Sequence, residues 1–127
     1  MAWREISAGH TTTPLPSGVI SIDNRLKTIR FGAMTIRTWK LKRFKTVNLL
    51  FDDESGLAGL QFLEDYTGTV MFGKHGSNGR LIYCKDLLKA AKAEPGRYRA
   101  QRKASGFITI DFQRAKIDQF APRKGRY

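Results

Sequence analysis

The side chains with which this chain could do metal or covalent chemistry are few: the acidic run Asp52-Asp53-Glu54, the histidines His10 and His75, and the single cysteine Cys84. Carboxylate oxygens can hold Mg²⁺. The acidic run, however, stands directly before Ser55-Gly56 and between two apolar stretches, which is where a solvated hairpin turn belongs. No second carboxylate set accompanies it for a two-metal site. The histidines lie far apart in the chain, and with Cys84 they give neither a zinc-ligand spacing nor a nucleophile–base pair. Both read as surface-loop residues, and Cys84 as a small apolar residue packed beside a helix start. The glycine-rich segment Gly73-Lys74-His75-Gly76-Ser77-Asn78-Gly79 lacks the GxxxxGK[ST] pattern of a phosphate-binding P-loop. Its Gly73–Gly76 spacing fits the GxxG clamp of KH domains, but that clamp joins helices, whereas this segment joins strands. It reads as a flexible β-connection in reach of a phosphate backbone through Lys74. The expectation is a non-enzymatic protein with no cofactor and no metal.

Cations, by contrast, are abundant. The 127 residues include 23 Lys and Arg against 11 Asp and Glu, a net charge of +12. A surplus of this size in a small domain implies a polyanionic partner, with nucleic acid ahead of an anionic membrane or an acidic protein. Arg25, Lys27 and Arg30 line a predicted strand, and Arg37, Lys40, Lys42, Arg43 and Lys45 follow within nine positions. Trp39 and Phe44 are interleaved with them, either to stack on bases or to serve the core. Lys74 and Arg80 extend the surface, together with Lys85 and Lys89. A second cluster, Arg97, Arg99, Arg102 and Lys103, falls on a predicted hairpin. In a strand Arg97 and Arg99 share one face, which leaves Tyr98 facing the core. The C-terminal stretch adds Arg114, Lys116, Arg123, Lys124 and Arg126 as a mobile basic tail. The expected contact surface is a groove built from Arg25–Lys45 and this tail, with Lys74, Arg80, Arg97 and Arg99 contributing.

These residues must be positioned by short elements. Strands are predicted at Gly18–Ile22, Leu26–Phe31, Thr46–Phe51, Leu57–Leu63 and Gly68–Phe72. Gly32–Lys40 fits a helix. The stretch Gly79–Phe112 predicts a strand, a helix of about two to three turns stopped by Pro95-Gly96, and a hairpin turning at Ser105-Gly106. It resembles the stretch Thr28–Phe62. At an offset of 52, Ile29-Arg30-Phe31 falls on Leu81-Ile82-Tyr83, Ile36 on Leu88 and Lys40 on Lys92. At an offset of 50, Ser55-Gly56-Leu57 falls on Ser105-Gly106-Phe107, Leu60 on Ile110 and Phe62 on Phe112. The expected fold is α+β, a β-rich single domain of two pseudo-repeated β-α-β-β units that share one core. The divisions are an N-terminal arm and linker over 1–17, a first repeat over 18–63, a second over 68–112 and the basic tail over 113–127. With a lone cysteine and neither a signal-peptide nor a membrane-spanning pattern, the expected location is a cytoplasm, bacterial or archaeal, or a host's if the chain is viral.

From Gly79-Arg80 onward the chain resembles the swapped-hairpin AbrB-like repressor domains. Their motif runs Gly-Arg, apolar strand, Pro-Lys-Glu-Leu opening a helix, then Gly-Asp before a hairpin. Gly79-Arg80, Lys85, Asp86, Leu87 and Gly96 match in position, and Phe107–Ile110 matches the closing strand. Cys84 stands in place of the proline, Ala91-Lys92 in place of Leu-Gly at the helix end, and Arg97 in place of the Asp. Two such units in one chain are similar to the MraZ-type arrangement. The resemblance implies an interlocked β-barrel with two flanking helices, binding DNA through basic residues on strands and loops, with Arg80 on the DNA-facing side.

The function expected is nucleic-acid binding, DNA before RNA, in a regulatory role. Two alternatives stay open at this level: a single-strand DNA or RNA binder similar to the Whirly type, and a viral structural or assembly protein. Whether the chain forms a homo-oligomer is open too.

Overall fold

The computed structural model describes residues 15–23, 25–75 and 79–117. In chain order they form β1 (Val19–Asp23), β2 (Thr28–Phe31), α1 (Ala33–Thr38), β3 (Thr46–Phe51), β4 (Leu57–Leu63), β5 (Val70–Met71), β6 (Gly73–His75), β7 (Gly79–Tyr83), α2 (Lys85–Ala90), β8 (Gly96–Ala104) and β9 (Phe107–Asp111). The strands run in the order β5-β3-β4-β9-β8-β1-β2-β7-β6, and every pairing is antiparallel. Only Phe72 separates β5 from β6 in the chain, and its N–H donates to the Lys45 carbonyl at 3.0 Å. One stretch of backbone therefore pairs with β3 in its first half and with β7 in its second. The sheet is thereby nearly closed, which leaves little unpaired edge to protect. Over the described residues the protein is a strand-rich single domain with two short helices.

Period-two alternation fills the interior. Ile20 and Ile22 of β1, Ile29 and Phe31 of β2, Val47 of β3, Leu60 and Phe62 of β4, and Ile108 and Ile110 of β9 are all buried. The hairpins interlock. The β1–β2 hairpin pairs with β8 and β7, while the β3–β4 hairpin pairs with β9 and β5. Neither hairpin of the N-terminal half pairs with the other, so strands of the C-terminal half join both into the sheet.

Both helices end in the same way. Lys40 after α1 and Lys92 after α2 have φ of 54° and 52°, the left-handed region. The Leu41 N–H donates to Ile36 O at 2.9 Å and the Lys40 N–H to Arg37 O at 3.3 Å; Ala93 and Lys92 repeat the pattern on Leu88 and Lys89 at 3.0 and 3.1 Å. These are Schellman caps, with lysine where glycine is usual. The α2 helix thus stops several residues before Pro95-Gly96 and is shorter than the sequence predicts.

Three other expectations are revised. β2 begins at Thr28 rather than Leu26, because the Asp23 carboxylate accepts the Arg25 and Leu26 N–H groups at 2.9 and 3.0 Å and holds a turn there. Gly73–His75, predicted within a loop, is strand β6 paired to β7; residues 76–78 of the glycine-rich segment lie outside the described residues. The chain after Phe112 does not leave the domain at once. The Arg99 N–H donates to Ala115 O at 3.0 Å and the Ile117 N–H to Arg97 O at 2.9 Å, while Ile117 packs with Leu15 and Val19. Among the described residues no helix is long and apolar enough to cross a membrane.

Candidate nucleic-acid interface

The end of β2 and the start of β7 meet at one end of the barrel, where Phe31 pairs with Arg80. α1 and the chain over Lys40–Lys45 rise above this end and enclose a cleft of ≈ 960 Å³. Ala33, Ile36 and Gly79 line it together with seven cations: Arg37, Lys40, Lys42, Arg43, Lys45, Lys74 and Arg80. Among the described residues no carboxylate lines it. Seven of the cations the sequence singles out, drawn from both halves of the chain, thus converge on one concave surface.

The wall of this cleft is held from below. Phe44 is buried, and its ring packs against Phe62 with centroids 5.7 Å apart. Phe62 in turn meets Phe72 at 4.9 Å and Phe31 at 5.8 Å, edge to face. The Lys45 N–H donates to Leu63 O at 2.7 Å. The backbone carrying Lys42, Arg43 and Lys45 is therefore fixed while their side chains stay exposed. Both aromatics interleaved with the cations prove to belong to the core: Phe44 is buried, and Trp39 is half-buried against the core. Burial takes the Phe44 ring out of reach of a base, and packing against the core covers part of Trp39.

Arg80 differs from the other six cations. Its guanidinium lies 4.0 Å from the centroid of the Phe72 ring. It donates to the carbonyls of Leu41 at 3.3 Å, of Lys42 at 3.0 Å and of Phe72. Burial pushes its pKa down from the ordinary value. Carbonyl dipoles and the ring face replace part of the water it loses, and its buried Nε has no hydrogen-bond partner among the described residues. Arg80 ties the Lys40–Lys45 wall to the β5–β6 junction, so it positions the other cations.

The remaining predicted residues lie elsewhere. Arg25 and Arg30 line a separate hollow of ≈ 330 Å³ with Asp23 and Pro95, beside the β1–β2 turn that also carries Lys27. Arg25 and Lys27 precede β2 and the cleft follows it, so Arg25–Lys45 does not form one continuous groove. Tyr98 is buried and Arg99 exposed, with Arg97 half-buried, as strand alternation predicts. Arg99 lines a shallow hollow with Arg114, Lys116 and Asp111. Arg123, Lys124 and Arg126 lie outside the described residues, as do the N-terminal arm before Leu15 and His10 within it.

One contact has no signal in the local sequence. The Arg43 guanidinium donates to the Ser105 hydroxyl at 2.6 Å, which joins the cleft wall to the β8–β9 hairpin tip. Pairing of β4 with β9 brings the two together. The other reactive groups take structural parts. The Asp52 carboxylate accepts the Ser55 hydroxyl at 2.9 Å and the Glu54 N–H at 3.0 Å, which hold it below the usual carboxylate range and close the β3–β4 turn. Cys84 is buried, and burial pushes its thiol up to about 12. Among the described residues no group of His, Cys, Asp and Glu is arranged to hold a metal ion.

Compared with family models, curated proteins and solved structures, the chain matches none of them.

Proposed function

We propose that this protein is a non-enzymatic nucleic-acid-binding protein that grips the phosphate backbone in the basic cleft and acts on DNA in a regulatory role. The observation that carries the reading is the convergence of Arg37, Lys40, Lys42, Arg43, Lys45 and Lys74 around one cleft with no lining carboxylate among the described residues. Like charges so placed repel one another, and a polyanion relieves that repulsion while releasing its own counterions. Burial of Phe44 and Trp39 favours backbone recognition over base stacking, and hence a duplex over a single strand.

The chain is further proposed to be an internal duplication with the interlocked architecture of swapped-hairpin DNA-binding domains. Exchanging β2 with β7, β3 with β8 and β4 with β9 leaves the pairings β2–β7, β4–β9 and both hairpins unchanged. Lys40 and Lys92, 52 positions apart, share one cap geometry, and Gly56 and Gly106, 50 apart, both have φ of 76° at their hairpin turns. The preference for DNA rests on this resemblance. The two ends of the β2–β7 pair have diverged in charge. The α2 end offers Lys85, Asp86, Lys89, Lys92 and Glu94, of mixed sign, whereas the charged residues lining the cleft at the α1 end are all basic.

Fluorescence anisotropy with labelled duplex DNA, duplex RNA and single strands of equal length tests the reading. Tightest binding to duplex DNA supports it. Equal or tighter binding to single strands would move the assignment to a single-strand binder, and no binding to any of them at low salt would remove it.

A further inference from the structure

We infer that the nucleic-acid surface continues out of the cleft onto the tip of the β8–β9 hairpin, where Arg102 and Lys103 take the phosphates that follow those held by the cleft. This rests on the backbone-binding reading above. Arg43 is the junction, with one face in the cleft and its guanidinium on the Ser105 hydroxyl at 2.6 Å. The tip is held against the cleft wall. The Phe62 N–H donates to Gly106 O at 2.7 Å, and a Cβ added at Gly106 would stand 3.1 Å from Phe44 Cζ. With φ of 76° this turn position already favours glycine, and the close ring leaves a side chain there little room.

Beyond Arg43 the tip of the β8–β9 hairpin presents two adjacent cations, Arg102 and Lys103. Arg102 pairs with Ile108 and Ala104 with Phe107, so Lys103 is the extra residue of a β-bulge. Bulges re-aim side chains and are common beside functional sites. Residues 102–105 are all exposed. The carboxylate that meets Arg43 is Glu64, at 4.0 Å and largely exposed, a weak competitor for a guanidinium that a phosphate can engage through two parallel hydrogen bonds. A phosphate chain lying in the cleft therefore meets, at its Arg43 end, a second pair of cations carried on a hairpin tip that is held against the cleft wall.

Two double variants and a control test this on the full chain: Arg102→Gln/Lys103→Gln at the tip, Arg37→Gln/Lys40→Gln in the cleft, and Lys85→Gln/Lys89→Gln on α2, each removing the same net charge. Affinity for a duplex DNA is measured over a series of salt concentrations, with far-UV circular dichroism confirming the fold. The tip variant is expected to flatten the slope of log K against log salt by about 1.8, corresponding to about two phosphate contacts, and the single variant Lys103→Gln by about half as much. The α2 control is expected to leave the slope unchanged. A tip variant that matches the unsubstituted protein, or one that changes it no more than the α2 control does, overturns the inference while a cleft-variant loss leaves the cleft reading standing. If the cleft variant too is without effect, the backbone-binding reading falls with it.

Discussion

Arg80 donates to the main-chain carbonyl of Lys42 at 3.0 Å while the Lys42 side chain stays exposed, so neighbouring cations of one cleft perform different tasks. Lysine at position 80 would replace a planar donor fork, stacked on Phe72, with a point charge on a flexible stem. Arg80→Lys should therefore lower unfolding free energy by about 2 kcal/mol in urea denaturation, the scale of one charge-assisted hydrogen bond lost from a half-buried cluster. Cys84 gives a pH signature of its own. Its thiol rises from an ordinary 9.0 to about 12 in the folded chain, because burial disfavours the thiolate. Above pH 9 the unfolded chain loses this proton first, so the Cys84 contribution to stability is whole below pH 9 and declines from there towards about pH 12. A thiol reagent at pH 8 should accordingly label the native protein slowly and the urea-unfolded protein at once. The burial of Cys84 was legible from its place between an apolar strand and a helix start. The task of Arg80 was not, since its acceptors at Leu41, Lys42 and Phe72 come from distant parts of the chain.

At the scale of elements, β3, the turn over Asp52–Gly56 and β4 have the bounds that their alternation and turn residues predict, because each is defined by local chemistry. The helix ends were less legible, and Lys92 shows why. A lysine carries no sign that it will adopt a left-handed φ, which costs an L-residue about 1–2 kcal/mol and which glycine adopts freely. Lys92→Gly should thus raise stability by up to about 1 kcal/mol, read as a higher urea midpoint with unchanged slope. A fall in stability would mean that the lysine side chain itself supports the cap. The revised start of β2 has the same origin: the Asp23 carboxylate turns the chain on Arg25 and Leu26, and alternation alone does not register such a cap. Strand pairing is more remote still. Nothing near Ser105 signals that Arg43, 62 positions earlier, will reach it.

The described residues form a small, nearly closed barrel, with their basic surplus unequally shared between its two ends. The closure fixes where the cations stand: β7 brings Arg80 beside Phe31, β6 brings Lys74 beside Arg80, and the Phe31–Phe62–Phe72 cluster supports the wall that carries Lys42–Lys45. Net charge raised the expectation of a polyanion from composition alone, but it did not separate Arg25, Lys27 and Arg30 from the cleft, because that division follows from the direction in which β2 crosses the barrel. The measurement that tests the central claim most directly is the salt dependence of duplex DNA binding by the unsubstituted protein and by Arg37→Gln/Lys40→Gln/Lys42→Gln. With the six exposed cations of the cleft and the two of the hairpin tip engaged, the slope of log K against log salt should lie near about −7, and the triple variant should reduce its magnitude by about 3. Absence of binding at low salt, or the same slope in both proteins, would contradict the assignment of the cleft as the nucleic-acid site.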